Sequence, residues 1–407
     1  MKQLEVFYEG WGENWHLGTL ADAARTVLFE YSAEALSQGL ELSPRNLPLQ
    51  RLAYQGFEAH QWRLPGLIAD SLPDGWGLLV MDRLFRKQGR RPEALSPLDR
   101  LAFIGSNSMG ALTYRPEENL KLGEEDLTLL QLAQEAQAVV HDQDTAALAI
   151  LARLGGSPHG ARPKVLVYFD PLTRSISAHP FAGAEPWLVK FQASREHPEV
   201  CAVEALYANL AQSFGIEMPE TEFFTLSPHL SAFGIKRFDR EQGMRVPILT
   251  LAGSLDLDFR MSTISYDTLL KMTRYMTRSQ VEVDKAYRRA VFNVAFHNRD
   301  DHSKNFSFRL DQARNWQLAP GYDLTFNVGP GGEHHMDISG EGRNVTRADL
   351  MQLAKDGGVP RGYAAGCIDE ARALVDRFEP MAKELPIRAD TRNDLLRAVR
   401  GTTGLLR

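Results

Sequence analysis

The sequence predicts an α+β protein with a β-rich front and a mostly helical rear, and three observations carry that expectation. Short apolar runs bounded by Gly and Pro crowd the first 65 residues and recur between 165 and 239. From about residue 264, stretches with helical spacing dominate. At 407 residues the chain exceeds what one small core fills, so two or three subdomains are expected.

Taken in order, "LEVFYEGW", "HLGTLA" and "TVLFEYS" read as strands. "GLIADSLPDGWGLLVMDRLFRKQG" reads as a turn feeding an amphipathic helix, with Leu78, Leu79, Met81, Asp82 and Leu84 placing most apolar positions on one face. "LAFIGSNSMGALTYRP" reads as a return to strand. "EEDLTLLQLAQEAQAVV" and "DTAALAILARL" have the Ala and Leu spacing of two helices. The composition then shifts to the Gly/Pro loop "LGGSPHGARPK" (154–164), followed by strands at "VLVYFD" and "WLVKFQ" and a helix near 201–213. "ETEFFTL" and "SAFGIKRFD" are further strands, and helices fill the rest. The expected division is 1–118, 119–245 and 246–407.

Composition excludes several classes. A net charge of −6 provides no global basic field for DNA or an anionic membrane. Cys201 and Cys367 are the two cysteines and form no CxxC, which argues against a disulfide framework or a structural zinc. The N-terminus lacks a basic start with an apolar run, and no stretch of about 18 apolar residues occurs. A cytoplasmic protein with reduced thiols and no membrane contact is expected.

The chemistry concentrates in "HNRDDHSKNF" (297–306), directly after the apolar "AVFNVAF". Asp300 is followed five residues later by Asn305, and Asp323 follows in "GYDLTFN". Phosphoryl transfer from ATP needs a carboxylate near the acceptor hydroxyl and oxygen ligands that hold magnesium against the phosphates. The protein-kinase catalytic loop has this Asp-to-Asn spacing, with a later metal-binding Asp. Upstream parts occur in kinase order. The Gly loop offers Ser157, Gly160, Arg162 and Lys164, Lys190 lies in the strand "WLVKF", and Glu204 in the next helix is its candidate partner. The loop is not a Walker A sequence, because Ala161 rather than Lys follows Gly160. Asp300 and Asn305 also suit a loop that merely caps a turn. Asp301 reads as a solvated neighbour, and His334 with His335 as loop surface; no HExxH supports zinc.

These residues resemble the HipA family of bacterial serine/threonine kinases, the toxin half of a toxin–antitoxin pair. "SPHGARPK" resembles its phosphate loop, "LVKF" its ATP lysine strand, "IKRFDR" its hinge, and "NRDDHSKNF" and "GYDLTFN" its catalytic and metal loops. "LPDGWG" and "IGSNSMGALTY" resemble its N-terminal subdomain. The resemblance implies a two-lobed kinase-like body with an extra N-terminal β-rich subdomain and a helical C-terminal lobe. It implies Mg-ATP as cofactor, a helix-turn-helix antitoxin of HipB type as partner, and DNA contact only through that antitoxin. Asp300 would be the catalytic base, with Asn305 and Asp323 on magnesium. Ser157, His159, Gly160, Ala161, Arg162, Pro163, Lys164 and Lys190, with His302, Lys304 and Tyr322, would line ATP. Lys236, Arg237 and Phe238 would face adenine through their backbone, Lys236 standing where an acidic residue often begins the hinge. Ser157 occupies the autophosphorylation position, and the implied substrate is a translation component such as an aminoacyl-tRNA synthetase.

Two other readings stay open. One is a small-molecule kinase of the aminoglycoside or choline type, which shares the Asp, Asn and Asp. The other is a non-catalytic co-repressor scaffold bound to a DNA-binding antitoxin.

Overall fold

In a computed structural model, residues 2–23, 26–118, 127–143, 145–155, 157–193, 196–262 and 264–407 are described. Gly156 of the Gly/Pro loop, the "EED" that opens the first expected Ala/Leu-rich helix, and residue 119 at the expected subdomain boundary lie outside them. The chain forms two compact units. One comprises Met1–His197, Phe224–Asp258 and Arg309–Arg314; the other comprises Pro198–Phe223, Phe259–Phe308 and Asn315–Arg407.

The first unit contains two five-stranded sheets. β1 (Lys2–Tyr8), β2 (Trp15–Asp22), β3 (Val27–Tyr31), β4 (Ala53–Tyr54) and β5 (Leu112–Arg115) form one, ordered β4-β3-β2-β1-β5. Alternation along β1 buries Leu4, Val6 and Tyr8 while Gln3 and Glu5 face water. Between β3 and β5 lie α1 (Ala33–Gln38), α2 (Gly66–Ala69), α3 (Gly75–Lys87) and α4 (Pro97–Ile104). α3 buries Trp76, Gly77, Val80, Met81, Leu84 and Phe85. The face is therefore rotated from the one expected, and Leu79 is exposed. "LAFI" is the end of α4 rather than a strand. Ser96 accepts from the Asp99 N–H, Asp99 returns a bond to the Ser96 N–H, and Pro97 takes the first turn, so a complete capping box starts this helix.

α5 (Leu129–Val140) and α6 (Leu148–Gly155) follow, the latter packed on α3. The second sheet has the order β7-β6-β8-β10-β9, from β6 (Lys164–Phe169), β7 (Ile176–Ser177), β8 (Glu185–Phe191), β9 (Thr221–Ser227) and β10 (Leu230–Lys236). Its core is aromatic: Phe169 meets Trp187 and Phe224 edge-on at 5.2 Å each.

The second unit is mostly helical. It holds α7 (Val200–Ser213), α9 (Tyr266–Thr277), α10 (Gln280–Ala295), α11 (Arg347–Asp356), α12 (Arg361–Lys383) and α13 (Ala389–Gly404); a short α8 (Leu251–Leu255) belongs to the first unit. α10 packs against α9, α12 and α13. Ala286, Tyr287, Ala290, Val291, Phe292, Val294 and Ala295 are all fully buried, the signature of a central helix surrounded on every side. Among the described residues, no helix is long and apolar enough to cross a membrane.

Candidate active site

The end of α10 creates the charge-dense loop. The Asn298 N–H donates to Asn293 O at 2.9 Å and the His297 N–H to Val294 O at 3.4 Å, a Schellman closure with His297 in the left-handed region at φ 56°. Glycine usually takes that position. Here the imidazole compensates by stacking on Phe326 at 5.2 Å and meeting Thr402 Oγ1 at 3.0 Å. Burial, with Arg299 nearby, pushes His297 down to about 4, so the ring is neutral at pH 7.

Beyond the cap, the chain runs beside the segment that follows Asp323. The Asn327 N–H donates to His297 O at 3.1 Å and the Arg299 N–H to Asn327 O at 3.2 Å. Burial then alternates residue by residue: Arg299, Asp301, Ser303 and Asn305 are buried, while Asp300, His302 and Lys304 are partly exposed. One face of "RDDHSKN" thus fastens the loop and the other presents a carboxylate, an imidazole and an ammonium group.

The Asp-to-Asn spacing has a local cause. Asn305 Nδ2 donates to the Asp300 carbonyl at 2.6 Å, closing the turn and turning the amide oxygen away from that bond. The Tyr322 hydroxyl donates to Lys304 O at 2.7 Å and meets Ser307 Oγ at 2.6 Å, which ties the residue before Asp323 to the same loop. Arg289 of α10, buried, donates to Ala319 O at 2.7 Å with its guanidinium 5.7 Å from the Phe306 ring. Asp323 is in the left-handed region at φ 55°, which Asp tolerates better than most residues. His302 Nε2 is 3.9 Å from Asp300 Oδ1, and the His302 and His335 rings meet edge-on at 5.7 Å. Lys304 Nζ lies 4.4 Å from the centre of the Phe259 ring.

Asp300 has a raised pKa. Desolvation is the main cause, with the Asp323 and Asp301 carboxylates adding to it and His302 and His335 opposing it. A base must be ionised to accept a proton. The acid limb of any Asp300-dependent rate is therefore expected above the ordinary carboxylate pKa near 3.8, with activity falling as pH drops through the raised value. A kcat–pH profile with its acid limb at or below pH 3.8 would contradict this.

The first unit holds the other candidate residues except Glu204. Lys164 and Lys190 sit directly opposite each other in the β6–β8 ladder, both buried. Directly opposed residues of a ladder share a face, so both lysine side chains leave the sheet on the same side. The Gly loop before β6 is fastened to α3 and the residues around it. Asp74, just before α3, accepts from the Gly160 N–H, the Trp76 N–H donates to Gly160 O at 3.1 Å, and Trp76 Nε1 donates to Lys164 O at 2.9 Å. His159 Nε2 bonds Leu72 O at 3.0 Å, Lys164 Nζ donates to His159 O, and Arg162 pairs with Glu196 at 3.2 Å. Ala161 and Pro163 complete the turn. Gly160 has φ 105°, a conformation that favours glycine, and a Cβ there would meet Lys164 Nζ, which occupies that side of the loop. Ser157 is only 2% exposed; its hydroxyl accepts the Met109 N–H at 2.9 Å and donates to Ser71 O at 3.4 Å.

At the end of β10, Lys236 pairs with Glu185 at 2.7 Å, and the Arg237 N–H donates to Pro186 O at 2.9 Å. Phe238 follows. Glu204 is buried in α7, in the second unit, whereas Lys190 belongs to the first.

Residues 5–115 match the family model of the HipA N-terminal domain, and residues 156–378 match that of the HipA-like C-terminal domain. The chain belongs to the HipA family. A HipA-family chain in the solved complex of the toxin–antitoxin system proteins HipA and HipB with operator DNA from Shewanella oneidensis MR-1 is similar over 98% of this chain and 96% of that one, at 19% identity and a TM-score of 0.70. At that identity the likeness establishes the fold. The proinflammatory kinase CtkA of Helicobacter pylori is similar over 55% of this chain and 87% of its own, at 13% identity and a TM-score of 0.38.

Sequence reasoning missed part of this HipA-family site. Asp301 is not a solvated neighbour but 1% exposed, and His334 is not loop surface but 4% exposed and bonded to it at 2.7 Å. The only local signal was the doubled Asp, since strict alternation sends one carboxylate out and the next one in.

The donor chemistry of magnesium fits the residues present. Asp323 and Asn305 supply hard oxygens, the latter with its amide nitrogen already committed to Asp300 O. Among the described residues no group of three or more His, Cys, Asp and Glu side chains could hold a metal alone. Two protein ligands completed by phosphate oxygens and water is the usual magnesium arrangement in phosphoryl transfer.

Proposed function

We propose that this HipA-family chain is a Mg-ATP-dependent serine/threonine protein kinase that acts as a growth-inhibiting toxin. One observation carries the reading: Asn305 reaches back to the Asp300 carbonyl while Tyr322 ties the Asp323 segment to the same loop, so base and metal-ligand candidates form one construction.

Asp300 accepts the proton of the acceptor hydroxyl and orients it. Asn305 and Asp323 hold magnesium, which supplies charge neutralisation at the phosphates when bound. The loop amides, Arg162, Lys164 and Lys190 hold the phosphates, aided by His302 and Lys304. The backbone at Lys236, Arg237 and Phe238 receives adenine, and Glu204 is the candidate partner of Lys190. The chain is divided into an N-terminal subdomain (1–118), a nucleotide lobe (119–245) and a helical lobe (246–407). Its partner is a HipB-type helix-turn-helix antitoxin, through which alone it meets DNA. Its substrate is a cytoplasmic translation component such as an aminoacyl-tRNA synthetase.

Ser157 is the autophosphorylation site in this reading. Its hydroxyl is buried between Met109 and Ser71, so modification requires the loop to release those bonds first. A phosphate could not return to that space beside the nucleotide's own phosphates. The test is incubation of dephosphorylated wild type and Asp300→Ala with Mg-ATP, followed by mass spectrometry of the peptide carrying Ser157. Phosphate in wild type alone is expected. ATP binding without phosphate on Ser157 removes the autoregulatory claim, and absence of ATP binding overturns the kinase reading.

A further inference from the structure

In kinases whose activity is switched, a loop beyond the metal-binding Asp is ordered when phosphorylation creates a new pair with arginine. The residues that would make or replace such a pair here are Arg299 and Asp301, which flank Asp300. Alternation turns both side chains inward, away from the face that presents Asp300.

Both reach the same segment. The Arg299 guanidinium donates to Gly332 O and, at 2.8 Å, to Arg343 O. The Asp301 carboxylate accepts the His334 ring at 2.7 Å and the Tyr266 hydroxyl at 2.6 Å through one oxygen, and the His335 N–H at 2.8 Å through the other. His334 in turn donates its N–H to Gly342 O at 2.8 Å, closing the segment on itself. Asn293 of α10 donates to the Tyr266 oxygen at 2.8 Å and accepts from Asn298 at 2.9 Å, so the network also holds the start of the catalytic loop. Three donors on a buried carboxylate satisfy it, and removing it strands each of them. Two main-chain carbonyls thus occupy an arginine that a loop phosphate would otherwise claim.

We propose that Arg299 and Asp301 are positioning residues that keep segment 332–343 permanently assembled, so that phosphoryl transfer at Asp300 needs no prior phosphate on it. The inference rests on the kinase reading of Asp300. The segment itself contains one hydroxyl side chain, Ser339, which is exposed and donates to Asp349 O at 3.1 Å.

The test combines turnover with hydrogen exchange. Asp301→Asn keeps the shape but points an N–H2 at a donor, and Arg299→Lys keeps the charge but loses the two-pronged geometry. Each is expected to lower kcat at saturating Mg-ATP about 10- to 100-fold, the scale of an ångström-sized misplacement, while nucleotide Kd stays within about twofold. Amide exchange at 333–343 should accelerate in both. Tyr266→Phe, which deletes one of the three bonds, should lose less and serves where Asp301→Asn fails to fold. Ser339→Ala and phosphatase-treated wild type should keep full turnover.

Loss of turnover in either of those last two overturns the proposal. So does wild-type kcat with wild-type exchange in Asp301→Asn and Arg299→Lys. A wild type that binds Mg-ATP yet transfers nothing, with exchange still accelerated in the variants, sinks the kinase reading and the turnover claim and leaves the structural lock supported.

Discussion

Asp300→Ala is expected to lower turnover by about 10³-fold or more at saturating Mg-ATP, the upper part of the range for a positioned general base. The loop around Asp300 is held by its neighbours: Asn305 bonds the Asp300 main chain, and Arg299 and Asp301 anchor the two sides. Removing the side chain therefore deletes chemistry without dismantling the loop. Desolvation raises the Asp300 pKa, but the side chain is 46% exposed and water screens it, so at neutral pH its charged form is at most a mild cost to the folded state. The sign follows: the penalty is present above the raised folded value and is relieved as pH falls through it. Asp300→Asn should consequently unfold no earlier than wild type at pH 7 while losing turnover. Single-turnover kinetics alongside urea unfolding separates the two effects, and a rate within tenfold of wild type removes Asp300 from the mechanism.

Asp239→Ala should produce the largest loss of stability, about 3–5 kcal/mol, the scale for stripping one partner from a buried ionic cluster. Asp239 is 1% exposed. Arg237 grips its carboxylate at 2.9 and 2.8 Å, Arg240 at 2.8 Å, and the Gly110 N–H at 2.8 Å. Although burial pushes the carboxyl up, the two guanidinium groups hold it well below the usual carboxylate range. Its contribution is present above the ordinary carboxylate pKa and is lost as pH falls towards the depressed folded value. The alanine variant leaves the Arg237 and Arg240 guanidinium groups without their shared carboxylate and the Gly110 N–H without its acceptor, while Arg240 and Arg245 still bond the carbonyls of the 106–110 loop. A urea midpoint shift worth less than about 1 kcal/mol would show the cluster to be dispensable.

Several features were legible because their causes are local. The five-residue spacing from Asp300 to Asn305 is set by one hydrogen bond within a single turn. The strands around Lys164 and Lys190 and the helices from α9 onward follow from periodicity alone. The capping box Ser96–Asp99 was equally local and would have corrected the strand expected at "LAFI". Leu79 is different: its face of α3 is decided by Trp76 and Phe85, which turn towards the core and leave Leu79 outside.

By itself the amino-acid order determined the α+β class, the order of the candidate nucleotide and catalytic parts, and the family resemblance, because each rests on near neighbours in the chain. Only the tertiary structure decided what those parts are fastened to. Ser157 is held by Met109 and Ser71, Asp239 by Gly110, and Asp301 by His334 and Tyr266, partners dozens of residues or more away. No spacing rule encodes such pairs. A buried carboxylate and a solvated one look alike until the chain has closed around one of them and its unmet hydrogen bonds become costly.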